Sequence, residues 1–307
     1  MKKYLKLPLI LVFLIAVFVF ACNQITDRDA KETILKGATT LYVDETLTPI
    51  VSDQVDVFEN EYAAKIKLVS KSEAETVNSL FKEKAAIAVL SRNLTAAELK
   101  IFKQRKINPK TTVFATDAVA FITNRSNKDT LVALQDVISF LQGKKVASIK
   151  GLVFDNLNSS TVRYMNALAG IKSVPENGVF SFKSNDEVIK YVSGNEGMIG
   201  VVGVNWLSQP VPAMQKYVDD VRSLGVKGLK SDGYFIPSQN NIAEGKYPLA
   251  RDLYIINCQG FSGLGMGFAS FVAGDVGQRI VLKSGLLPVR IPTRKFTIVG
   301  KDQNDKK

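Results

Sequence analysis

The sequence predicts an α/β fold with largely parallel sheets, and three observations support that prediction. Short runs rich in β-branched and aliphatic residues alternate with amphipathic segments along most of the chain, as strands alternate with helices in such folds. The 307 residues suffice for one large or two medium domains. The chain has two cysteines, so an ordinary hydrophobic core must hold the fold together in place of a disulfide framework.

The β-rich runs predict the strands. They are Thr39–Asp44, Ala64–Ser70, Ala85–Ser91, Thr111–Asn124, Lys145–Asp155, Gly197–Val204 and Tyr247–Asn257. Thr111–Asn124 is too long for one simple strand, and we expect it to carry the chain between two domains. We expect the last run to return to the first half of the fold.

Amphipathic spacing predicts the helices between these runs. The helical patterns cover Val55–Tyr62, Lys71–Lys84, Leu94–Arg105, Leu131–Lys144, Asp186–Gly194 and two pieces within Phe268–Val289. Thr95 and Glu98 form a capping box at the start of one helix, and Gly143 ends another. The polar passage Ser223–Gly233 carries no predicted element. Gly260–Gly267 lacks the spacing of a dinucleotide loop, so we interpret it as a turn into the following helix.

The N-terminus predicts export and lipidation. A lysine-rich start precedes an apolar run, Leu7–Phe20, which is too short to span a bilayer comfortably and is followed by a small residue. Residues 1–21 are therefore predicted to be a cleaved signal peptide. Val19–Cys22 resembles a bacterial lipobox, in which Cys22 is lipidated and becomes the mature N-terminus; an uncleaved anchor is the alternative. Either way, we expect the rest of the chain to lie outside the cytoplasm, tethered to a membrane.

Charge and composition narrow the possible functions. The formal net charge is +11, and the chain stays basic once the signal lysines are removed, which suits an anionic partner such as nucleic acid, a lipid surface or a small anion. No nucleic-acid motif is present, so nucleic acid is not expected as a partner. The lack of histidine removes His-based triads, general bases and metal sites. No pair of carboxylates has a convincing catalytic context, so the sequence predicts neither an enzyme nor a cofactor or metal site.

Hydroxyl-bearing residues gather at the turns that lead from predicted strands into predicted helices. They are Thr46 and Thr48, Ser70 and Ser72, Ser91 with Arg92, and Asn158, Ser159, Ser160 and Thr161. In an open α/β sheet, ligands bind beyond the carboxyl ends of the strands, where helix N-termini offer free N–H groups and a positive dipole end. The turns therefore predict a pocket that holds a small oxyanion mainly by hydrogen bonds. Each turn taken singly is also explained as a plain helix cap or a Ser/Thr-rich loop.

Several motifs resemble one known family. They are "VLSRNLTAAEL", "NSSTVRYMNAL", "EGMIGVVGVNWL" and a C-terminal run with Tyr247-Pro248-Leu249, Arg251, Gly277-Gln278 and Gly285–Pro288. Together they resemble the phosphate-binding component of bacterial phosphate ABC importers, within the type 2 periplasmic-binding superfamily. The resemblance extends from about Thr39 to Pro292.

The resemblance implies two lobes of mixed sheets flanked by helices, with a ligand cleft between the lobes. A lipidated N-terminus and tether would occupy residues 22–38, lobe 1 residues 39–116 and 234–307 including the tail, and lobe 2 residues 117–233. It also implies a monomer in the periplasm or cell envelope, anchored to a membrane by lipid. This protein would capture inorganic phosphate or a similar oxyanion and deliver it to an ABC permease in the inner membrane.

The resemblance also assigns binding residues. These are Thr46 or Thr48 in the first turn, Ser70 or Ser72 in the second, Ser159-Ser160-Thr161 in the second lobe, and Arg92 near the cleft, where a guanidinium suits an oxyanion.

Two positions depart from the family pattern. Ser160 replaces a glycine, and Asp155 replaces an arginine that many relatives carry. Asp155 could accept the proton of monohydrogen phosphate, a role for which Asp44 and Asp117 are rivals, or it could repel a dianion. The second outcome leads to an alternative function, in which an envelope lipoprotein uses the same scaffold for sensing or protein contacts with an altered pocket.

Three further residues are given ordinary structural roles. Trp206 is expected to pack near a strand end, Arg163 to form a surface or inter-lobe ion pair, and Cys258 to be a small buried apolar residue.

Overall fold

The computed structural model describes residues 32–82 and 87–292. The predicted signal peptide, Cys22 with its lipobox, most of the tether and the tail after residue 292 lie outside the described residues. Within the described ranges, no helix is long and apolar enough to cross a membrane.

The strands are numbered in chain order. They are β1 (Lys36–Asp44), β2 (Ala63–Lys71), β3 (Ile87–Leu90), β4 (Lys110–Asn124), β5 (Leu131–Ala133), β6 (Gly151–Phe154), β7 (Val179–Ser181), β8 (Met198–Gly203), β9 (Val221–Ser223), β10 (Gly225–Lys227), β11 (Tyr234–Phe235), β12 (Ala250–Asn257) and β13 (Leu287–Pro288).

The helices are numbered in the same way. They are α1 (Thr48–Glu61), α2 (Glu73–Lys82), α3 (Ala96–Gln104), α4 (Leu134–Leu141), α5 (Ser160–Ala169), α6 (Asn185–Gly194), α7 (Asn205–Ser208), α8 (Gln215–Asp219), α9 (Gln239–Ala243), α10 (Leu264–Ala273) and α11 (Asp275–Lys283). A 3-10 turn, Glu45–Leu47, joins β1 to α1. The predicted capping box of α3 is confirmed, because Thr95 and Glu98 each bond the other's backbone N–H.

The alternation of strands and helices predicts a largely parallel sheet, but the largest sheet of the structure is mixed. Its strands follow the order β2-β1-β3-β12-β4-β8-β6-β7. The pairs at both ends of this path are parallel, but β12 and β4 run antiparallel to their neighbours. The reason is the return of β12 from late in the chain, which inserts it between β3 and β4.

One long strand joins the two halves of this sheet. Residues 110–118 of β4 pair with β12, and residues 119–122 pair with β8. The turns after β1 and β6 therefore approach each other near the middle of β4. The core lies on both faces of the sheet. Its buried rings include Phe58, which contacts Phe268 and Phe271 edge-on at centroid distances of 5.6 and 5.3 Å.

Three local predictions need correction. Leu131–Ala133 is a strand and not the start of a helix, because it pairs in parallel with β10. That partner lies in the passage Ser223–Gly233, for which no element is predicted; β10 also pairs with β11. Of the β-rich run Lys145–Asp155, only Gly151–Phe154 forms a strand. These short strands depend on partners distant in sequence, which local patterns do not reveal.

The segment before β1 is packed tightly against the start of α10. The Glu32 Oε1 atom accepts from the Leu264 backbone N–H at 2.6 Å and from Gln259 Nε2 at 2.8 Å. The glycine-rich run does turn into this helix, as predicted. Its glycines also have a packing role, because a Cβ added at Gly267 would lie 1.6 Å from the Ile34 carbonyl oxygen.

This contact makes Gly267 sensitive to the smallest side chain. We expect Gly267→Ala to lower the free energy of unfolding by about 1–3 kcal/mol, because backbone must move to admit the methyl group. Gly194→Ala is the matched control, since a Cβ at that helical glycine would meet nothing within 4 Å. Urea unfolding of both variants measures the effect. Equal stability of Gly267→Ala and the unchanged protein would contradict the packing argument.

Candidate functional site

The candidate site is centred on a buried arginine that the sequence did not single out as a site residue. Arg251 lies on β12 directly opposite Asp117 on β4, and its residue surface is only 6% exposed. Its Nε and Nη2 atoms donate to Asp117 Oδ2 at 3.2 and 3.0 Å. Its Nη1 donates to Ser160 Oγ at 3.0 Å, and Nη2 to Thr46 Oγ1 at 3.4 Å. One guanidinium thus joins β4, the turn after β1 and the start of α5.

The turn after β1 is shaped so that one of its two threonines reaches this centre. Asp44 Oδ1 accepts from the Thr46 backbone N–H at 3.1 Å, which fixes the 3-10 turn. The Thr46 hydroxyl lies 2.9 Å from that of Ser160. The Thr48 hydroxyl instead lies 2.8 Å from that of Ser70, in an exposed position. Of the alternatives that the sequence left open, the structure therefore brings Thr46 to Ser160 and pairs Thr48 with Ser70.

The turn before α5 surrounds an internal carboxylate. Asp155 Oδ1 accepts from the hydroxyls of Ser159 and Thr161 at 2.5 and 2.6 Å, and Oδ2 accepts from Asn185 Nδ2 at 3.0 Å. The Ser159 hydroxyl also accepts from a backbone N–H of α5 as its N-cap. Two hydroxyls predicted to hold an external anion thus hold Asp155. Ser160, one of the two departures from the family pattern, is the member of the motif that contacts Arg251.

The remaining predicted residues make contacts away from Arg251. Ser72 caps α2, because its hydroxyl donates to Glu75 Oε2 at 2.7 Å and accepts from the Glu75 N–H at 3.4 Å. Ser91 Oγ lies 3.4 Å from Glu73 Oε2. Asn158 is exposed, and its backbone N–H donates to Asn156 Oδ1.

Arg92 does not supply its charge to this centre. Its Nη1 and Nη2 atoms form a bidentate pair with Glu98 at 2.8 and 2.9 Å, and its Nε atom donates to Glu73 at 2.8 Å. Glu73 and Glu98 thus accept hydrogen bonds from all three nitrogen atoms of the Arg92 guanidinium. The buried cation beside the predicted hydroxyls is therefore Arg251 in place of Arg92.

Further contacts link the first turn and α2 to α5 and α7. Trp206 Nε1 donates to the Thr46 carbonyl at 2.8 Å, so this side chain does more than the predicted packing. Arg163 Nε donates to Glu73 Oε1 at 2.5 Å, which confirms the ion pair expected for Arg163. An open groove of about 610 Å³ is lined by Arg163 and Glu73, and its lining also includes Arg92, Asn158 and Ser159. Cys258 is buried as predicted.

Acidic groups around Arg251 have shifted pKa values. Burial raises the pKa of Asp44 to about 6, although Arg251 opposes the shift. Burial likewise raises the pKa of Asp117 and of Asp155, against the effect of Arg251 and the hydrogen bonds to each carboxylate. Burial, together with the charge of Asp155, raises the pKa of Glu45 to about 7. The environment therefore disfavours the simultaneous ionisation of all four of these carboxyl groups.

The sequence contains a signal that could have located Arg251. Arg251, Leu253 and Ile255 alternate along β12 and Leu249 directly precedes it, and all four are buried. Because alternate residues of a strand share a face, an arginine in an otherwise apolar alternation points into the core, where it needs a partner. In the described ranges, no group of three or more His, Cys, Asp or Glu residues is placed to hold a metal ion.

The raised pKa of Asp44 predicts a pH-dependent cost to stability. Because its folded pKa lies above the ordinary value of 3.8, the folded state takes up a proton first as the pH falls from about 6 to 4, and stability rises over that window. Asp44→Asn cannot ionise and keeps an oxygen for the Thr46 N–H. We expect this variant to be more stable than the unchanged protein at pH 7.5, by up to about 3 kcal/mol.

Urea unfolding at a series of pH values measures this difference. The advantage of Asp44→Asn should shrink as the pH falls towards 4. Asp56→Asn, which alters an exposed carboxylate on α1, is the control. A variant that is less stable than the unchanged protein by the same amount at every pH would contradict the prediction.

Comparisons with known proteins agree with this architecture. A family model described as "PBP superfamily domain" matches residues 30–276. The phosphate-binding protein PstS of Borreliella burgdorferi is 24% identical over 308 residues, covering 93% of this chain and 100% of that protein.

Two solved structures share the fold. A putative phosphate ABC transporter substrate-binding protein with bound phosphate from Clostridium perfringens has a TM-score of 0.69 at 18% identity, covering 83% of this chain and 100% of the other. An ABC-type phosphate transport receptor from Vibrio cholerae has a TM-score of 0.61 at 17% identity, covering 82% and 100%. The predicted periplasmic-binding-protein fold is thereby confirmed. Because the family match spans most of its length, the chain belongs to the PBP superfamily and is similar to PstS.

Proposed function

We propose that the protein is an extracytoplasmic substrate-binding protein that captures inorganic phosphate, or a closely related oxyanion, for import by an ABC permease. One observation carries the proposal: the Arg251 guanidinium converges with the hydroxyls of Thr46 and Ser160, at 2.9 to 3.4 Å, in a buried position. The names of the relatives, which are phosphate-binding components of ABC transporters, support the choice of anion.

The donors at this centre suit an oxyanion. A guanidinium donates to two oxygens of one tetrahedral anion at once, and these charge-assisted bonds are stronger than neutral ones. The hydroxyls of Thr46 and Ser160 add donors without bulk. Ser160 is also the first residue of α5, where the positive end of the helix dipole favours an anion. Binding of this kind needs no covalent chemistry.

The contacts between the two turns suggest how the ligand enters. We assign lobe 1 to residues 39–116 and 234–307, and lobe 2 to residues 117–233. Under this division, the Thr46–Ser160, Trp206–Thr46 and Arg163–Glu73 bonds cross the cleft. A hinge motion that parts the lobes breaks these bonds and opens the site. An entering oxyanion then accepts from Arg251 and from both hydroxyls, so that each donor exchanges one partner for another.

The proposal includes attachment to a membrane. The lipobox-like Val19–Cys22 supports lipidation of Cys22 after cleavage of residues 1–21. The protein would act as an anchored monomer in the periplasm or cell envelope, close to its permease in the inner membrane.

A second candidate function rests on the carboxylates. Asp155 accepts from the hydroxyls of Ser159 and Thr161, and three buried carboxylates, Asp44, Asp117 and Asp155, interact with the charge of Arg251. Such a centre disfavours a dianion. It is also compatible with an envelope lipoprotein that uses the scaffold for sensing or protein contacts.

Isothermal titration decides between the two functions. The protein, started after Cys22, is unfolded and refolded to remove any carried-over ligand and then titrated with phosphate and with sulfate. We expect phosphate to bind and sulfate not to bind. Arg251→Met should weaken phosphate binding by about 100-fold and Ser160→Ala by about tenfold, because each removes a donor to the anion. No binding of either anion would contradict the proposal and favour the second function.

A matched control separates the loss of the site from the loss of charge. Arg290→Met removes an exposed arginine that pairs with Asp275, and we expect unchanged affinity. Circular dichroism of Arg251→Met checks folding, since its loss leaves Asp117 without its cation. Ser160→Ala keeps that ion pair and provides the test if Arg251→Met does not fold.

Lipidation predicts a labelling result that depends on one cysteine. In cells supplied with radioactive palmitate, the unchanged protein should be labelled and membrane-bound, and Cys22→Ser should lose the label. Cys258→Ser, which alters the buried cysteine, should be labelled normally. An unlabelled wild-type protein that stays in the membrane at full-length mass would instead support the uncleaved anchor.

A further inference from the structure

Four exposed apolar side chains gather where the chain enters the described fold. They are Ile34, Leu35, Phe261 and Val276, which are between 39% and 49% exposed. Ile34, Leu35 and Val276 line one open depression of about 380 Å³. Phe261 lines a neighbouring depression, and Met266 belongs to the lining of both. Apolar side chains that adjoin one another at a surface indicate an interaction site, whereas single exposed ones do not.

Lysines border this apolar group. Lys36 begins β1 and Lys110 begins β4, and Lys106 lines the same depression as Phe261. All three lysines are exposed. Among the described residues, none of the three forms an ion pair with a carboxylate. We call the four apolar side chains, Met266 and these three lysines the tether face.

Positive charge on this face gathers around Phe261. The depression that Phe261 lines has two lysines and no carboxylate in its lining. The neighbouring depression is bordered by Glu61 and Asp275, and Asp275 pairs with Arg290. Glu32 is occupied in accepting hydrogen bonds from the start of α10. The face therefore has an apolar centre with a basic side and an acidic margin.

The tether face lies at the opposite end of the sheet from the candidate site. Strand β1 runs from Lys36 at this face to Asp44 beside the site, and its nine residues span roughly 26 Å. Strand β12 runs in the other direction, from Arg251 in the site to Asn257, which pairs with Lys110. A partner that covers the tether face therefore leaves the site uncovered.

We propose that the tether face binds the surface of an anionic lipid bilayer. The length of chain that precedes the described fold supports this partner, because nine residues, 23–31, separate Cys22 from Glu32. Glu32 is fixed to α10 beside the tether face, so a lipid on Cys22 brings this face closest to the bilayer. The choice of lipid as the partner rests on the lipidation of Cys22 within the proposed function, and it is independent of which anion the site binds.

The chemistry of a bilayer surface matches both parts of the face. Apolar side chains such as Phe261 enter the boundary between headgroups and acyl chains, where removal from water stabilises them. Lysine ammonium groups bind anionic headgroups while their aliphatic stems cover apolar surface. Few side chains enter the bilayer, so the contact is weak and reversible. It holds the candidate site away from the lipid and open to the surrounding solution.

Flotation with vesicles tests the face without the lipid anchor. The chain is started after Cys22, which keeps every residue of the described fold, and is mixed with vesicles of phosphatidylcholine alone or with added phosphatidylglycerol. We expect the protein to float with the mixed vesicles and to remain largely unbound with phosphatidylcholine alone. Added salt should release it, because salt screens the attraction of lysines to headgroups.

Matched variants assign this binding to the tether face. Phe261→Ser should weaken binding to the mixed vesicles about tenfold because a phenyl ring no longer enters the bilayer. The double variant Lys106→Asn and Lys110→Gln should weaken it about tenfold through the loss of two charges. Asparagine suits position 106, whose φ of 58° lies in the left-handed region. Val211→Ser and Lys128→Gln make similar changes at exposed positions outside the face, and they should bind like the unchanged protein.

A fluorescent label tests the lipidated protein itself. Phe261→Cys is labelled with a dye whose emission moves to shorter wavelength in lipid, and the buried Cys258 is protected from the reagent. In mixed vesicles we expect this shift for the label at position 261 and none for a label on Val211→Cys. The shift requires no loss of binding, so it decides the question if one of the flotation variants does not fold.

Several results would overturn the inference. They are an unchanged protein that does not float with the mixed vesicles, face variants that float as well as the unchanged protein, and a label at position 261 that stays in water. Dimers that form without vesicles and are lost in Phe261→Ser would assign the face to a second copy instead.

Phosphate titration separates this inference from the proposed function. We expect Phe261→Ser and the double lysine variant to bind phosphate as the unchanged protein does, because both alter the end of the sheet opposite the site. An unchanged protein that floats with the mixed vesicles but binds no phosphate would support the tether face and contradict the proposed capture of phosphate. Phosphate binding without flotation would do the reverse.

Discussion

The ion pair between Arg251 and Asp117 is the interaction on which the rest of the site depends. It lies in register between two central strands, where both groups are almost wholly buried. A guanidinium in such a place must have its donors satisfied, and Asp117 accepts only part of them. The remaining donors select the positions of Thr46 and Ser160, and with them the turn after β1 and the start of α5. The pairing of β12 with β4 therefore also fixes the geometry of the site.

The same centre departs from the ordinary rules of a stable core. Asp44, Asp117 and Asp155 are all buried, and burial raises the pKa of each. A protein selected only for stability would replace such groups by apolar ones, which are often at least as stable as a buried ionic network. Departures of this kind concentrate where function needs them. Here the three carboxylates lie close enough to Arg251 for its charge to oppose the rise in each pKa, and Arg251 is the group that would bind the anion under the proposed function.

Local patterns revealed much of the fold but little of the pairing within the site. The capping box of Thr95 follows from short-range chemistry and is present. The β-rich run Thr111–Asn124, predicted to be too long for one simple strand, is continuous and pairs first with β12 and then with β8. The sequence also predicts the positions of the hydroxyl-rich turns. It does not predict which residues these turns contact, because a contact such as Thr46 with Ser160 joins residues 114 apart. Arg92 illustrates the limit: its sequence context suggested an anion, and the fold supplies two carboxylates, Glu73 and Glu98, in its place.

If Cys22 is lipidated as proposed, the contact of Glu32 with α10 limits how far the body can move from the membrane. Glu32 is held by Leu264 and Gln259, so the tether would end at this residue. Even fully extended, the stretch from Cys22 to Glu32 spans at most roughly 35 Å. The body would then explore a thin layer above the lipid, which raises its effective concentration at any partner in that membrane. A weak contact between carrier and permease would be sufficient under those conditions.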